Sequence, residues 1–225
     1  MSYITHKLHK FAEKQTYVHF WETLKYSFHV IFHPADGFWD LIHEKRGSYS
    51  AANFIVLMTL LSRIWKIQFT SFLVREVQWA KINIFMECAT VLLPLAIFCI
   101  CNWATTTLFD GKGHLGEIYM GTAYALTPYP LIQIPLFIAS NFVNMDETAF
   151  IVIFDYISLA WCLLLIFMAM MMINQYGAGK TFLFCIITVF AMLVFIFIML
   201  LFFSMISQGV AYFVSLVKEI MFRLN

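Results

Sequence analysis

Residues 181–203 read TFLFCIITVFAMLVFIFIMLLFF, a run with no charge and with hydroxyls only at Thr181 and Thr188. At about 1.5 Å of rise per residue, a helix of this length crosses a hydrocarbon core roughly 30 Å thick. Four earlier stretches, 51–74, 82–108, 119–143 and 150–173, are apolar over similar lengths. The composition agrees: of 225 residues, 62% are hydrophobic and 12% charged, where soluble domains carry about 25% charge. A water-soluble core of this size has no room for so much apolar surface, so lipid must act as the solvent. The sequence therefore predicts an all-α integral membrane protein, a bundle of about five transmembrane helices. The connections, near 75–81, 109–118, 144–149 and 174–180, are short. Consecutive helices must then be neighbours in an up-down bundle, with no space for a soluble catalytic domain. No internal repeat of the kind common in secondary transporters is visible.

Working outward, the region 1–50 reads as an N-terminal region with amphipathic helices, 51–205 as the transmembrane domain and 206–225 as a C-terminal amphipathic segment. Tyr17, Phe20, Trp21, Leu24, Phe28 and Ile31 recur at steps of three and four, a helical period. Pro34 opens a second short helix presenting Phe38, Trp39, Leu41 and Ile42. Aromatic amphipathic helices of this kind lie in the headgroup layer or pack beneath the bundle; the first is the favoured expectation. After Phe203 polarity returns at Ser204, Ser207, Gln208 and Gly209. A stripe of Val210, Phe213, Val214, Val217, Ile220, Met221 and Leu224 follows, with Lys218, Glu219 and Arg223 off it. That stripe fits either a separate helix on the far surface or a continuation of the last span.

Orientation follows from basic residues. Lys7, Lys10, Lys14, Lys25, Lys45, Arg46, Lys112 and Lys180 fall on one side, and Arg75, Lys81, Lys218 and Arg223 on the other. Asp146 and Glu147 mark a further far-side loop. The N-terminus is expected in the cytoplasm and the C-terminus across the membrane. The first strongly apolar run starts near Ala51, too late for a cleavable leader, so the first span is expected to serve as the targeting signal. No Asn-x-Ser/Thr acceptor occurs, which fits a bacterial cytoplasmic membrane or an unglycosylated internal one. A formal net charge of +1 excludes the strongly basic face that nucleic acid requires.

Chemistry, if any, must sit in the membrane. Arg63, Lys66, Glu87 and Asp155 fall inside apolar runs, each at a cost of about 2.5–3.5 kcal/mol at the bilayer centre. Their depths bring Lys66 within reach of Glu87 or Asp155. Such a set either fixes helix packing as an ion pair, the favoured expectation, or marks an ion pathway. The run 119–143 carries Pro128, Pro130 and Pro135, which cannot donate to the carbonyls of Tyr124, Leu126 and Leu131. A helix so interrupted is kinked or unwound, and Thr127 and Gln133 stand near to supply partners. Asn83, Asn102, Gln133 and Asn141 read as interhelical hydrogen-bond formers. His29 and His33 have metal-ligand spacing on a helix, with His19 and His43 nearby, but read as interfacial histidines. Cys88, Cys99, Cys101, Cys162 and Cys185 lie in apolar runs and read as small hydrophobes. Gly177-Ala178-Gly179-Lys180-Thr181 has Gln175 where a phosphate loop needs its first glycine, and reads as a turn. No cofactor or metal is expected.

Gly111-Lys112-Gly113, Glu117 and Tyr124-Ala125-Leu126-Thr127-Pro128, with Pro34-Ala35-Asp36-Gly37-Phe38-Trp39 upstream, resemble the Yip family of multi-pass membrane proteins over roughly 33–205. Eukaryotic members of that family interact with Rab-type GTPases in early secretory traffic; many bacterial members have no defined role. The Asp-Leu-Tyr-Gly-Pro motif of the eukaryotic members is absent here, with Gly37-Phe38-Trp39-Asp40 nearby, and Ala123 precedes Tyr124 in place of glycine. The resemblance therefore implies the bacterial-like branch. It brings no catalytic residues. It implies a non-enzymatic protein that organises or assists other membrane components, with lipid and other membrane proteins as partners and homo-oligomerisation open. The alternative is a small transporter or channel, or the membrane subunit of one, built on the broken third span and the four charges.

Overall fold

A computed structural model describes residues 14–70, 83–109, 111–144 and 147–224. Lys7, Lys10, Arg75, Lys81, Asp146, His6 and His9 lie outside these residues, as do the side chains of Lys14, Tyr17, His19, Val217, Ile220 and Leu224. The described residues form helices α1 (Lys14–Phe32), α2 (Pro34–His43), α3 (Tyr49–Phe69), α4 (Ile84–Thr107), α5 (Leu115–Ala125), α6 (Pro128–Ala139), α7 (Thr148–Asn174) and α8 (Ala178–Leu224). Four of these, α3, α4, α7 and α8, are long and apolar enough to cross a membrane. The protein is an all-α membrane protein, as its apolar runs require. The remaining run, 119–143, carries three prolines and is divided between α5 and α6.

Helix ends are set by local chemistry. Ser48 Oγ accepts from Ser50 N at 3.3 Å at the start of α3, and Asn83 Oδ1 accepts from Phe85 N at 3.0 Å at the start of α4. Such caps satisfy donors a helix start leaves free. Before α5, the Glu117 carboxylate accepts from His114 N at 2.9 Å. α7 ends at Gln175, whose φ of 56° is left-handed. A non-glycine residue there costs roughly 1–2 kcal/mol. The Gln175 side chain is held in return: Lys112 Nζ donates to its Oε1 at 2.7 Å, and its Nε2 meets His43 Nε2 at 3.0 Å.

The bundle has a near end and a far end. At the near end Tyr176 Oη donates to Phe109 O at 2.9 Å, and Tyr119 Oη donates to Asn53 Oδ1 at 2.5 Å. The starts of α3 and α8 and the ends of α4 and α7 therefore meet there. At the far end Asn141 Nδ2 donates to Phe69 O at 2.9 Å. α5 does not run along this axis. Tyr119 and Tyr124, more than a turn apart, both bond to the start of α3, at Asn53 and at Ser48 N. Gly113 and Gly121 both lie against Ile173, near the end of α7. α5 is laid across the near end, and α6 alone descends toward the far end.

The core sits at this near end. Ala51, Ala52 and Ile55 of α3, Ile118, Ala123 and Tyr124 of α5, and Leu165, Ala169 and Ile173 of α7 are buried together. Lipid tails are as apolar as the helices, so close approach through small residues, rather than hydrophobic drive, holds such an interface. α1 and α2 join the same core through Val30, Phe38 and Leu41. Each of these removes surface worth about 1.5–3 kcal/mol when taken from water. Thus the N-terminal helices pack on the bundle, while Trp21, Phe28, Phe32 and Trp39 stay exposed. Tyr26 joins α1 to α2 by donating to Gly37 O at 3.2 Å and Asp40 Oδ2 at 3.3 Å. Burial, with the Asp40 carboxylate beside it, pushes its phenol up to about 12, so it stays a neutral donor at working pH.

α8 is one continuous helix of 47 residues, some 70 Å long. The C-terminal stripe therefore continues the last span in this structure. α8 is tied to the bundle near its start. Thr188 Oγ1 accepts from Asn102 Nδ2 at 3.2 Å and meets Thr105 Oγ1 at 3.2 Å, while Phe184 stacks on Tyr176 with centroids 5.0 Å apart.

Gly111 N donates to Thr106 O at 2.8 Å, and a Cβ on Gly111 would stand 2.8 Å from both Thr106 Cβ and Thr106 O. Gly111→Ala is expected to destabilise the protein by about 1–3 kcal/mol. Gly209→Ala has nothing within 4 Å and should be neutral or stabilising by up to about 1 kcal/mol. Thermal unfolding of both variants in detergent checks this; equal melting would mean Gly111 is not packed against the end of α4.

Candidate functional site

The four membrane charges lie on three helices. α3 carries Arg63 and Lys66 one turn apart, α4 carries Glu87 in its first turn and α7 carries Asp155. The structure forms two pairs. Arg63 Nε donates to Glu87 Oε2 at 3.0 Å, and Lys66 Nζ donates to Asp155 Oδ1 at 2.5 Å. Of the two partners within reach of Lys66, Asp155 takes it, and Glu87 is taken by Arg63. The side chains are 37% and 23% exposed in the first pair and 20% and 29% in the second, so both pairs lie partly within the bundle.

α6 completes the cluster. Gln133 Nε2 donates to Asp155 Oδ1 at 2.5 Å and to Ser158 Oγ at 3.0 Å. Ser158 Oγ in turn donates to Asp155 O at 2.7 Å. Asp155 Oδ1 thus accepts from a lysine on α3 and an amide on α6, and one carboxylate ties three helices. Gln133 is fully buried, and its Oε1 has no hydrogen-bond partner. Tyr129 of α6 is also buried and lies near both Arg63 and Asp155, which brings the two pairs into one polar patch.

The proline-rich break is closed within the chain. Thr127 Oγ1 donates to Tyr124 O at 2.6 Å, and Thr127 N donates to the same carbonyl at 3.1 Å. Tyr129 N donates to Leu126 O at 3.0 Å. The carbonyls that Pro128 and Pro130 leave without donors therefore find local ones. The chain turns at Leu126–Thr127, which puts Pro128 at the first position of α6 and Pro130 in its first turn. There the missing N–H would have had no intrahelical partner in any case. Pro135 lies inside α6, and Pro94 lies inside α4 without ending it. Pro94 belongs with the prolines in its effect on backbone bonding, and its position in run 82–108 was the signal for it.

A cleft of about 240 Å³ opens beside the cluster, lined by Lys66, Thr70, Gln133, Phe137, Val152 and Asp155 among others. The remaining candidates lie elsewhere. The rings of His29 and His33 are tilted against each other with centroids 5.1 Å apart, and His43 stacks on Trp39 at 3.8 Å. Among the described residues no three His, Cys, Asp or Glu side chains converge on one point. All five cysteines are free.

Helices of membrane-spanning length joined by paired intramembrane charges define a multi-pass membrane protein. The chain belongs to the Yip family: the model of the Yip1 domain matches residues 28–215. No curated protein and no solved structure matches it.

Breaking a buried pair strands the partner charge, at a cost of roughly 3–5 kcal/mol; replacing both partners with apolar residues is near neutral. Lys66→Met is therefore expected to cost about 3 kcal/mol, the low end for a pair that is partly exposed. Lys66→Met with Asp155→Leu should recover most of it. A thermal-stability double-mutant cycle measures the coupling, and additive losses would show that the two groups do not act as a pair.

Proposed function

We propose that this Yip-family protein is a non-enzymatic membrane protein that organises or assists other membrane components, acting through its surfaces. The observation that supports this most is the pairing of Arg63 with Glu87 and of Lys66 with Asp155. Charges spent on interhelical pairs hold the bundle and leave none of the four as a lone carrier for ions. The surfaces that remain are the exposed aromatic face of α1 and α2, with Trp21, Phe28, Phe32 and Trp39, and the apolar length of α8. An aromatic amphipathic face beside a membrane bundle suits the headgroup layer, and α8 suits lipid, another membrane protein or a second copy. The departures from the eukaryotic pattern at Gly37-Phe38-Trp39-Asp40 and Ala123 support the bacterial-like branch, and the basic residues Lys25, Lys45, Arg46, Lys112 and Lys180 at the near end support an N-terminus inside.

Crosslinking and affinity capture of the full-length protein from its native membrane tests this reading. One reproducible membrane-protein partner is expected. Recovery of the protein alone would favour a transport role, for which the polar patch around Tyr129 and Gln133 would be the path. A second measurement separates the two. In a background with the native cysteines replaced, Thr127→Cys is expected to resist membrane-impermeant thiol reagents, since Thr127 is buried; rapid labelling from both faces would overturn the accessory reading.

A further inference from the structure

The cleft beside Asp155 has more bonding capacity than the ion pair uses. Lys66 Nζ has three donors and gives one to Asp155. Asp155 Oδ1 takes both Lys66 and Gln133, which leaves Oδ2 for another donor. Gln133 lies behind the cleft wall and fixes Asp155 Oδ1 from there, and Thr70 adds a hydroxyl. The charge of this wall is balanced, one lysine against one aspartate. It also lies between the C-terminal end of α3 and the N-terminal end of α7, whose dipoles have opposite sign. A simple anion would meet Asp155, and a simple cation would meet Lys66. A zwitterion with an anionic and an N–H-bearing cationic group meets both.

Position names the source of that zwitterion. Lys66, Phe137 and Asp155 lie within roughly 3–10 Å of the far ends of their helices, the depth where hydrocarbon gives way to headgroups. Phe137, Ile151 and Val152 form the apolar side of the cleft, and Val152 is 41% exposed on the outer surface of the bundle. The cleft is thus open sideways to lipid. Its volume of about 240 Å³ holds roughly eight water-sized groups, the scale of a headgroup rather than of a whole lipid.

We propose that this cleft binds the phosphoethanolamine headgroup of a phospholipid in the far leaflet. Lys66 donates its remaining N–H groups to the phosphate. Asp155 Oδ2 accepts from the primary ammonium, the Thr70 hydroxyl stands on the same wall, and the acyl chains leave past Val152. A choline headgroup has no N–H to give Asp155 and binds more weakly. The inference does not depend on whether a protein partner is captured.

Native mass spectrometry of the full-length protein, in micelles doped equally with phosphatidylethanolamine and phosphatidylcholine, tests it. Wild type is expected to retain phosphatidylethanolamine about tenfold over phosphatidylcholine, the scale of one hydrogen bond to a charged group. Val152→Trp fills the mouth without touching the ion pair and should bring the ratio to about one at unchanged melting temperature. If that variant fails to fold, Lys66→Met with Asp155→Leu removes the charges together and should abolish the preference as well. Equal retention of the two lipids by wild type, or a preference that survives both variants, would overturn the proposal. Soluble glycerophosphoethanolamine distinguishes the source. Failure to displace the lipid at millimolar concentration supports a lipid site, whereas displacement at concentrations matching the lipid itself would mean a free zwitterion is the ligand, and the lipid assignment would be wrong.

Discussion

A bilayer offers no water, so each charge and each backbone group in it needs a partner supplied by the chain. The carboxylate of Asp155 meets that constraint for much of this structure. Its Oδ1 receives Lys66 from α3 and Gln133 from α6, while Ser158, on its own helix, receives Gln133 and closes the ring. Three helices are placed relative to one another by one atom. The break in the third span follows the same rule. The chain turns where Thr127 supplies the donors that prolines withhold, and the turn sets α6 on a course that carries Gln133 down to Asp155.

Much of this was legible in the sequence because hydrocarbon thickness and charge cost are simple quantities. Four of the five apolar runs are helices of spanning length, since a run of some twenty apolar residues has few other stable forms in lipid. Arg63, Lys66, Glu87 and Asp155 stood out for their cost, and the family resemblance rested on Gly111-Lys112-Gly113 and Tyr124–Pro128. Pairing was less legible. Depth along an axis brought Lys66 level with Glu87 and Asp155 alike, and only the azimuth of each helix, which hydropathy does not encode, separates them. The course of α5 was hidden for a related reason. Run 119–143 has the length of a span, yet its first part lies across the near end. Hydropathy registers burial against α3 and α7 in the same way as burial in lipid. At the C-terminus, periodicity gave an apolar stripe but no break, and the helix continues through Gly209.

The two ends of the bundle are held by different physics. At the near end alanines and glycines let α3, α5 and α7 approach closely, and dispersion accumulates over many contacts. α1 and α2 seal that end with Val30, Phe38 and Leu41. The far end has no comparable core among the described residues. It is joined by Lys66–Asp155, Gln133–Ser158 and the Asn141 amide on Phe69 O. A close-packed end joined to a polar one gives a molecule that is stiff where it meets its own N-terminal helices and open to lipid where the polar cleft lies.

The net worth of the Lys66–Asp155 pair cannot rest on stability alone, because apolar residues of similar volume would hold three helices about as well. What an apolar contact lacks is direction. α6 has 12 residues, about three turns, and in lipid a helix this short could slide or rotate against α3 and α7 with little loss of dispersion contact. A hydrogen bond from Gln133 to one oxygen of Asp155 permits one register and one rotation. The cost of placing four charges in the membrane is then balanced by fixing a short half-span that packing leaves under-determined, and the same fixed geometry keeps a cleft open beside it.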